Sequence, residues 1–403
     1  MFDELTREVE RRYESLVAFR HELHAHPELS YEEHETAARI RAALAEIGGL
    51  TVREGLAGGT GTLALLDTGR PGPTIALRAD IDALPITEQT NLPWASRNAG
   101  RMHACGHDGH AACLLGAAAV LAALRDRLHG VVKFLFQPAE EGGAGAARMI
   151  ADGVLSEPDV DMIFALHGQS TRKVGHVATR PGAILAATDS FQATIHGRGA
   201  HGAYPHHGID PIVAASHVVV ALQSVVARRL NPLAAGVVTV GRMHAGTAGN
   251  VIPPAATLTG TIRSRDAQAR ETLKREVERV IVGTASAHGC TADVTVGTGY
   301  PATVNDPRAT EIVSRTAVEL LGEERFDPNE PPAMGGEDFA FYLQEVPGCF
   351  FRIGTCPADR DEYAGHHTPE YDFTDEAIRT GVRMFCALAV RCSDGAVGDG
   401  PGD

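Results

Sequence analysis

The chain has 403 residues, of which 44% are hydrophobic and 22% charged, and its formal net charge is −15. This length predicts two domains, and the acidic balance argues against nucleic acid and anionic membranes as partners. No apolar run approaches membrane-spanning length, the N-terminus lacks a signal-peptide pattern, and seven scattered cysteines do not form a disulfide framework. We therefore expect a cytoplasmic protein.

The first third of the chain predicts two helices and then three strands. An amphipathic helix is predicted over residues 3–24, and a second helix follows Ser30 as its N-cap. The stretches TVREG, GTLALLDT and PTIALRADID are typical of strands. The last strand runs into Asp80 and Asp82, at the strand end where open α/β sheets usually carry their sites. A polar loop explains these two carboxylates equally well.

The stretch MHACGHDGH at residues 102–110 is dense in residues that bind metals. Five of its residues can act as ligands: His103, Cys105, His107, Asp108 and His110. On an extended or loop backbone, residues two apart point to the same side, so Cys105 and His107 could face one ion. An apolar, Ala- and Leu-rich helix follows. The pattern favours a transition-metal site on the loop before that helix, with a chance group of histidines on a solvated loop as the alternative.

Two further strands are predicted to end in polar residues. VVKFLFQ is followed by Glu140 and Glu141, of which one could bind a metal while the other moves a proton. The strand in VDMIFALHG ends at His167, which alone would more often be a core histidine. Its position at the end of the third such strand favours a ligand.

Residues 185–297 predict strands and helices in the order β-α-β-β-α-β, a ferredoxin-like unit. The loop before its first helix carries His201, a Gly-rich loop between two strands carries Asn250, and Arg263 lies on the next strand. Such loops suit contact with a ligand. Ordinary hairpin chemistry is the favoured explanation for the glycines and Arg263, but not for His201.

The chain then returns to the first domain. Gly335 and Gly336 precede a predicted helix start that can hold a carboxylate through backbone N–H groups. CFFRIGT predicts a buried strand, and the pair His366-His367 on the loop after it offers a final ligand. We therefore expect a catalytic domain from residues 1–184 and 298–392, an inserted domain at 185–297, and a disordered tail at 393–403.

Several segments together resemble the M20 metallopeptidase family. They are FRHELHAHPELSYEEHETA, ALRADIDALPITE, MHACGHDGH, LFQPAEEGGAGA, ALHG, GRGAHGAYPHHGIDP, GNVIPPAATLTGTIRS, AMGGEDFAFY and HHTPEYDF. They are most similar to its amidohydrolase branch, which includes N-acyl-amino-acid amidohydrolases, hippurate hydrolases and plant auxin-conjugate hydrolases. The resemblance implies a zinc-peptidase-like α/β sandwich with an inserted ferredoxin-like lid, which also joins subunits into a homodimer or homotetramer.

The resemblance also implies a role for each site residue. The implied metal ligands are Cys105, His107, Glu141, His167 and His367. Glu140 is the implied general base, and His201 the lid histidine that polarises the scissile carbonyl, in some relatives from the neighbouring subunit. The substrate's carboxylate end is contacted by Asn250, Arg263 and Gly336. The broader family has His-x-Asp where this chain has Asp80-Ile81-Asp82, so both aspartates are expected to orient ligands rather than bind metal.

The implied activity is hydrolysis of the amide bond of N-acyl amino acids, giving a carboxylic acid and a free amino acid. Two divalent ions per subunit, Mn, Zn, Co or Ni, would serve as cofactors. Three alternatives stay open: a small-peptide carboxypeptidase or dipeptidase of the same fold, a non-catalytic binder of acyl amino acids, and a hydrolase with Cys105 as nucleophile. The acyl group, the amino acid and the metal are not specified by these motifs.

Overall fold

The structure is a computed structural model that describes residues 2–396. The chain divides into two compact units. The first contains Met1–Gly182, Val304–Pro331 and Asp338–Asp403, and the second contains Ala183–Thr303 and Pro332–Glu337. The second unit thus includes the predicted insert at 185–297, a few residues beyond each end of it, and a short segment that returns later in the chain. Residues 393–396 of the predicted tail belong to the short π-helix Cys392–Ala396, and residues 397–403 lie outside the described part.

The described residues form nine α-helices and sixteen β-strands. The helices are α1 (Phe2–Ala25), α2 (His34–Ile47), α3 (His107–Ala123), α4 (Gly145–Ala151), α5 (Pro211–Ser224), α6 (Ala267–Ala287), α7 (Pro307–Leu321), α8 (Ala340–Glu345) and α9 (Ala377–Arg391). The strands are β1 (Thr51–Leu56), β2 (Gly61–Asp67), β3 (Thr74–Asp80), β4 (Val131–Gln137), β5 (Met162–Lys173), β6 (Val177–Ala178), β7 (Gly182–Leu185), β8 (Ala187–His196), β9 (Ala200–His201), β10 (Gly236–Ala245), β11 (Val251–Ile252), β12 (Ala255–Ser264), β13 (Thr291–Gly297), β14 (Thr303–Asn305), β15 (Phe326–Asp327) and β16 (Gly348–Cys356).

The first unit is built on an eight-stranded mixed sheet in the order β1-β2-β4-β3-β5-β16-β6-β15. Its four central strands β4, β3, β5 and β16 are parallel and almost entirely buried, as expected for strands covered on both faces. Helix α3 packs between α1 and α9 on one side, while α4 and α8 contact the sheet on the other. This α/β sandwich is the predicted fold class.

The parallel strands bring the polar residues that follow them to one edge of the sheet. Strand β3 ends at Asp80, β4 ends three residues before Glu140, and His167 lies halfway along β5. The carboxyl ends of parallel strands share one edge, where open α/β sheets place their sites. The fold therefore positions these residues together although the sequence separates them.

The second unit contains a four-stranded antiparallel sheet in the order β10-β12-β8-β13. With α5 and α6 between the strands, the chain order is β-α-β-β-α-β, as the sequence predicts. Both helices begin with an aspartate N-cap, Asp210 or Asp266, whose side chain accepts backbone N–H groups of the first turn. The helices pack against the sheet through a separate apolar core.

One helix of the second unit is longer and more apolar than we expected. Residues Pro211–Arg229 are long and apolar enough to cross a membrane, with a mean hydropathy of 1.5 over 18 residues. This helix contradicts the expectation that no apolar run approaches membrane-spanning length. By itself this observation is weak support for a membrane span, because Ala214, Val218 and Leu222 of the helix are fully buried in the core of the second unit.

Three predicted helix starts are shifted in the structure. Helix α2 begins at His34 and not after Ser30, because the Ser30 hydroxyl donates to Asp82 Oδ2 at 2.8 Å instead of capping a helix. Helix α8 begins only at Ala340, after the Gly335-Gly336 stretch. Helix α3 begins earlier than expected, at His107, so that residue lies on the helix and not on the loop before it.

Candidate active site

All five residues predicted as metal ligands lie together in the first unit. Among the groups of ligand atoms that lie within 4.8 Å of one another, three contain at least two of these five residues: Cys105, His107 and His167; Cys105, Glu141 and His367; and His107, Glu140 and Glu141. Cys105 is shared by the first two groups, and Glu141 by the last two. Cys105 Sγ lies 3.4 Å from His167 Nε2, and Glu141 Oε1 lies 3.1 Å from His367 Nε2. The arrangement has the form of two adjoining ligand sets.

The two central histidines are oriented by hydrogen bonds to carbonyl oxygens. His107 Nδ1 lies 2.9 Å from the Asp82 carbonyl oxygen, and His167 Nδ1 lies 2.7 Å from that of Gly168. A carbonyl oxygen only accepts, so each Nδ1 carries a proton, and in the neutral imidazole Nε2 is then the nitrogen whose lone pair can bind a metal. His107 Nε2 is buried without a hydrogen-bond partner among the described residues. Fixing the tautomer through Nδ1 is how proteins prepare histidine for a metal.

Two residues at the cluster, Gly106 and His367, have a left-handed backbone conformation. Gly106 (φ 87°) turns the chain sharply between Cys105, which lies on the loop, and His107, the first residue of α3. A Cβ atom at this glycine would lie 2.8 Å from the Tyr371 hydroxyl oxygen. His367 itself has φ 62°, a conformation that costs a non-glycine residue about 1–3 kcal/mol. Such strain is typical of functional sites.

The charges at this cluster favour a cation. Hydrogen bonds with Cys105 and Glu141 raise the pKa of His367 to about 10. Burial, reinforced by the charge of Glu141, raises the pKa of the Cys105 thiol, which is opposite to what a free thiolate nucleophile requires. A bound metal ion would reverse this by stabilising the thiolate. One sulfur, three imidazoles and a carboxylate therefore fit a transition-metal or zinc centre.

The other ligand-capable residues of the 102–110 stretch have different contacts. His110 Nε2 accepts from the Gly168 N–H at 2.8 Å, so its Nδ1–H donates to Asp80 at 2.6 Å and neither nitrogen is left for a metal. Asp108 is buried against His24 (2.9 Å) and Arg20 (3.3 Å). His103 is also buried, and within the described residues neither of its ring nitrogens has a hydrogen-bond partner.

Next to the cluster lies a buried charge network that the sequence did not reveal. Arg78 is fully buried and donates to Asp80 at 2.6 Å, to Gln137 at 2.7 Å and to Asp338 at 2.8 Å. The backbone N–H of Asp338 also donates to Glu140 Oε1 at 3.4 Å. An arginine inside the otherwise apolar strand β3 was the available signal, since a buried arginine needs carboxylate partners.

The predicted residues of the second unit fall into two groups at opposite ends of its sheet. His201 pairs with Val251, and the Asn250 carbonyl oxygen accepts from the Gly202 N–H at 2.8 Å. Asn250 precedes the first residue of β12, Ala255, by five residues. Arg263 lies eight residues after Ala255, the first residue of β12, which at 3.4 Å per residue is about 27 Å along the strand. Gly336 lies at the Arg263 end, since its Cβ would meet the neighbouring Thr188.

This separation limits what one subunit can do. An N-acyl amino acid of ordinary size is much shorter than the 27 Å from Ala255 to Arg263, which favours separate roles for Arg263 and for the pair His201 and Asn250. His201 is exposed, and its Nδ1 accepts the Ala203 N–H at 3.0 Å, which leaves Nε2 as a donor to solvent or to a ligand. Arg263 donates to the carbonyl oxygens of Ile262 and Asp189.

Comparisons with known proteins agree with this geometry. Residues 76–391 match the family model described as Peptidase family M20/M25/M40. The chain is similar to the amidohydrolase YhaA of Bacillus subtilis (41% identity over 388 residues, 96% of this chain and 97% of the relative). It is also similar to N-acetyl-L-cysteine deacetylase of the same organism (43% over 363 residues, 90% and 84%). The crystal structure of YXEP from Bacillus subtilis, described as a dinuclear metal binding peptidase from the M20 family, superposes with a TM-score of 0.83 at 36% identity, covering 96% of this chain and 99% of that one.

The fold and the cluster together define a metal-dependent hydrolase of amide bonds. The chain belongs to peptidase family M20/M25/M40, and within it to the amidohydrolase branch.

Proposed function

We propose that the protein hydrolyses the amide bond of N-acyl amino acids with two divalent metal ions held by Cys105, His107, Glu141, His167 and His367. The observation that carries this proposal is the convergence of all five side chains at one edge of the sheet. When bound, the ions would activate water and polarise the scissile carbonyl. Zn²⁺, Mn²⁺, Co²⁺ and Ni²⁺ all suit this mixed donor set.

In this proposal Glu140 is the general base. It is 7% exposed, lies in the same group as Glu141 and His107, and has its carboxylate anchored by the Asp338 N–H. Because its neighbour in sequence is a ligand, Glu140 is held next to the place where water would be activated. It takes a proton from that water and delivers it to the leaving amine, which departs as the free amino acid.

We propose further that His201 and Asn250 act on a substrate in the neighbouring subunit, while Arg263 and Gly336 serve the substrate's carboxylate in their own. The separation of the two groups along the sheet supports this division. Strand β10 is an edge strand, and α5 exposes 46% of Val213 and 71% of Val220. The apolar surface formed by these two valines fits a second copy of the chain, as a homodimer or as the dimer within a tetramer.

The compartment is part of the same proposal. All seven cysteines are buried and unpaired, which supports a reducing, cytoplasmic environment.

The experiment that tests the proposed function is release of free amino acid from a panel of N-acetyl, N-benzoyl, long-chain N-acyl and indole-acetyl amino acids and of dipeptides. Release from any N-acyl member supports the proposal and identifies the acyl class. Release from dipeptides alone would assign the peptidase function instead, and binding of N-acyl amino acids without release would indicate a non-catalytic binder.

A further inference from the structure

The loop that carries Glu140 is held by three buried carboxylates from outside it. Glu33 accepts the Ala139 N–H at 2.9 Å, Asp82 accepts the Glu141 N–H at 3.0 Å, and Asp338 accepts the Ala146 N–H at 3.0 Å. Asp82 also orients His107, and Asp338 belongs to the Arg78 network. Glu33 has neither of these connections, so its position needs a separate explanation.

Helix capping does not explain Glu33, although it is the residue before α2. Its side chain makes no capping hydrogen bond. The first N–H groups of the helix are accepted instead by Glu28, whose Oε1 lies 3.2 Å from Glu35 N and whose Oε2 lies 2.8 Å from Thr36 N. The Glu33 carboxylate is thus directed away from its own helix and toward the loop of β4.

Burial of Glu33 is unfavourable for the fold. The residue has 0% exposure, and its Oε2 atom has no hydrogen-bond partner among residues 2–396. Burying a carboxylate with an unsatisfied oxygen costs free energy. Local conflicts of this kind concentrate at functional sites.

The N–H group that Glu33 accepts from outside its own residue belongs to Ala139, directly before the proposed base. Ala139 has φ 56°, and Ala144 on the far side of the two glutamates has φ 55°. Left-handed alanine is unfavourable and persists only where surrounding contacts hold it. Since the direction of the Glu140 side chain follows from this turn, a relaxed Ala139 would move its carboxylate.

We infer that Glu33 is a positioning residue for Glu140: its buried carboxylate holds the Ala139 N–H, keeps the left-handed turn in place and so fixes the direction of the base. This inference rests on the role proposed for Glu140. Glu33 does not touch the substrate and is not itself a catalytic residue.

The test compares Glu33→Ala and Glu33→Gln with the matched control Glu28→Gln. Glu33→Ala removes the acceptor, so kcat falls about 30- to 100-fold, the size expected for a small misplacement of a catalytic group, while KM and metal content stay near wild type. Glu33→Gln keeps an amide oxygen at the same place and stays within about 3-fold of wild-type kcat. Glu28→Gln lowers the melting temperature without lowering kcat.

Hydrogen exchange provides a readout that does not depend on activity. In Glu33→Ala, the peptide containing Ala139 exchanges faster than in wild type, and in Glu28→Gln it does not. If wild type is active and Glu33→Ala keeps full kcat, the inference is wrong while the proposed function stands. If wild type is inactive on every substrate, the proposed function fails, and equal exchange of the Ala139 peptide in all variants would overturn the inference as well.

Discussion

Asp82 binds the ligand His107 twice, through its carbonyl oxygen at 2.9 Å and through Oδ1 at 3.1 Å from the same ring nitrogen. Its other carboxylate oxygen, Oδ2, accepts the N–H of Glu141 at 3.0 Å. One aspartate therefore orients two of the five proposed ligands, which lie 34 residues apart in the chain.

The first prediction concerns this aspartate. Asp82→Ala should lower metal affinity about 10- to 100-fold, since residues that orient metal ligands typically have effects of this size. The affinity is measured by competition with a chelator of known strength. Asp161→Ala is the control, because Asp161 accepts the Thr74 N–H at 2.8 Å at the start of β3, whereas Asp82 lies just beyond the other end of that strand. An equal loss of affinity in both variants would show that strand stability, and not ligand orientation, is responsible.

The second prediction separates catalysis from metal binding. Glu140→Gln should lower kcat by about 10²–10⁴-fold, the usual contribution of a general base, with both metal ions retained. Glu141→Gln, its neighbour, should lose metal as well as activity. Kinetics combined with elemental analysis checks both variants. Full turnover by Glu140→Gln would remove this residue from the role of base.

The third prediction tests the composite site between subunits. Glu140→Gln and His201→Ala should each be inactive as homodimers. Co-expressed with two different tags, they should recover about a quarter of wild-type activity, because half of the dimers are mixed and each mixed dimer has one intact site. No recovery in purified mixed dimers would mean that His201 acts within its own chain.

The fourth prediction concerns the pH dependence of stability. Burial, together with the negative charge of Asp82, raises the pKa of Glu33 to about 7, from a value near 4.5 in the unfolded chain. The folded state therefore binds more protons between these values, and the free energy of unfolding falls as pH rises from about 4 to 7. Glu33→Gln has no carboxyl group here, so its free energy of unfolding does not fall in this way. The free energy of unfolding of Glu33→Gln minus that of wild type should therefore be about 2 kcal/mol larger at pH 8 than at pH 5.

Denaturant unfolding of wild type, Glu33→Gln and Glu28→Gln at the two pH values measures this difference. Two titratable neighbours do not interfere. Burial, which would raise the pKa of Asp82, is outweighed by the hydrogen bond and charge of His107 together with the hydrogen bonds from the Glu141 N–H and Ser30, so this pKa is lowered. Burial raises the pKa of Tyr31. If the difference in free energy of unfolding between Glu33→Gln and wild type is the same at both pH values, the pKa of Glu33 is not raised in the folded protein.

The sequence predicted the fold class, and it also singled out candidate ligands because their signals are local, while the choice of five among them came from the resemblance to the family. Five ligand-capable residues lie within the nine residues 102–110, and Glu140, Glu141 and His167 directly follow or lie within apolar strands. Parallel strands then gather such residues at one edge. Which members of the dense stretch have a ring nitrogen available for a metal could not be read from spacing, since both nitrogens of His110 are engaged by Asp80 and Gly168.

The supporting residues could not be predicted because their partners are distant in sequence. Arg78 and Asp338 are 260 residues apart, and Glu33 and Ala139 are 106 apart. Ser30 shows the same limit, as its hydroxyl binds Asp82 and does not cap the helix that follows. Secondary-structure propensity reflects only residues that are neighbours in sequence, and tertiary contacts override it at such positions.

The most direct test of the account is titration of chelator-treated protein with Mn²⁺, Co²⁺, Ni²⁺ or Zn²⁺ while amino-acid release from an N-acyl amino acid is followed. The account predicts no release without metal, a rise on addition, and a plateau at about two equivalents per chain. Full activity of the metal-free protein, lost in Cys105→Ser but kept in Cys113→Ser, would contradict it and assign Cys105 as a nucleophile.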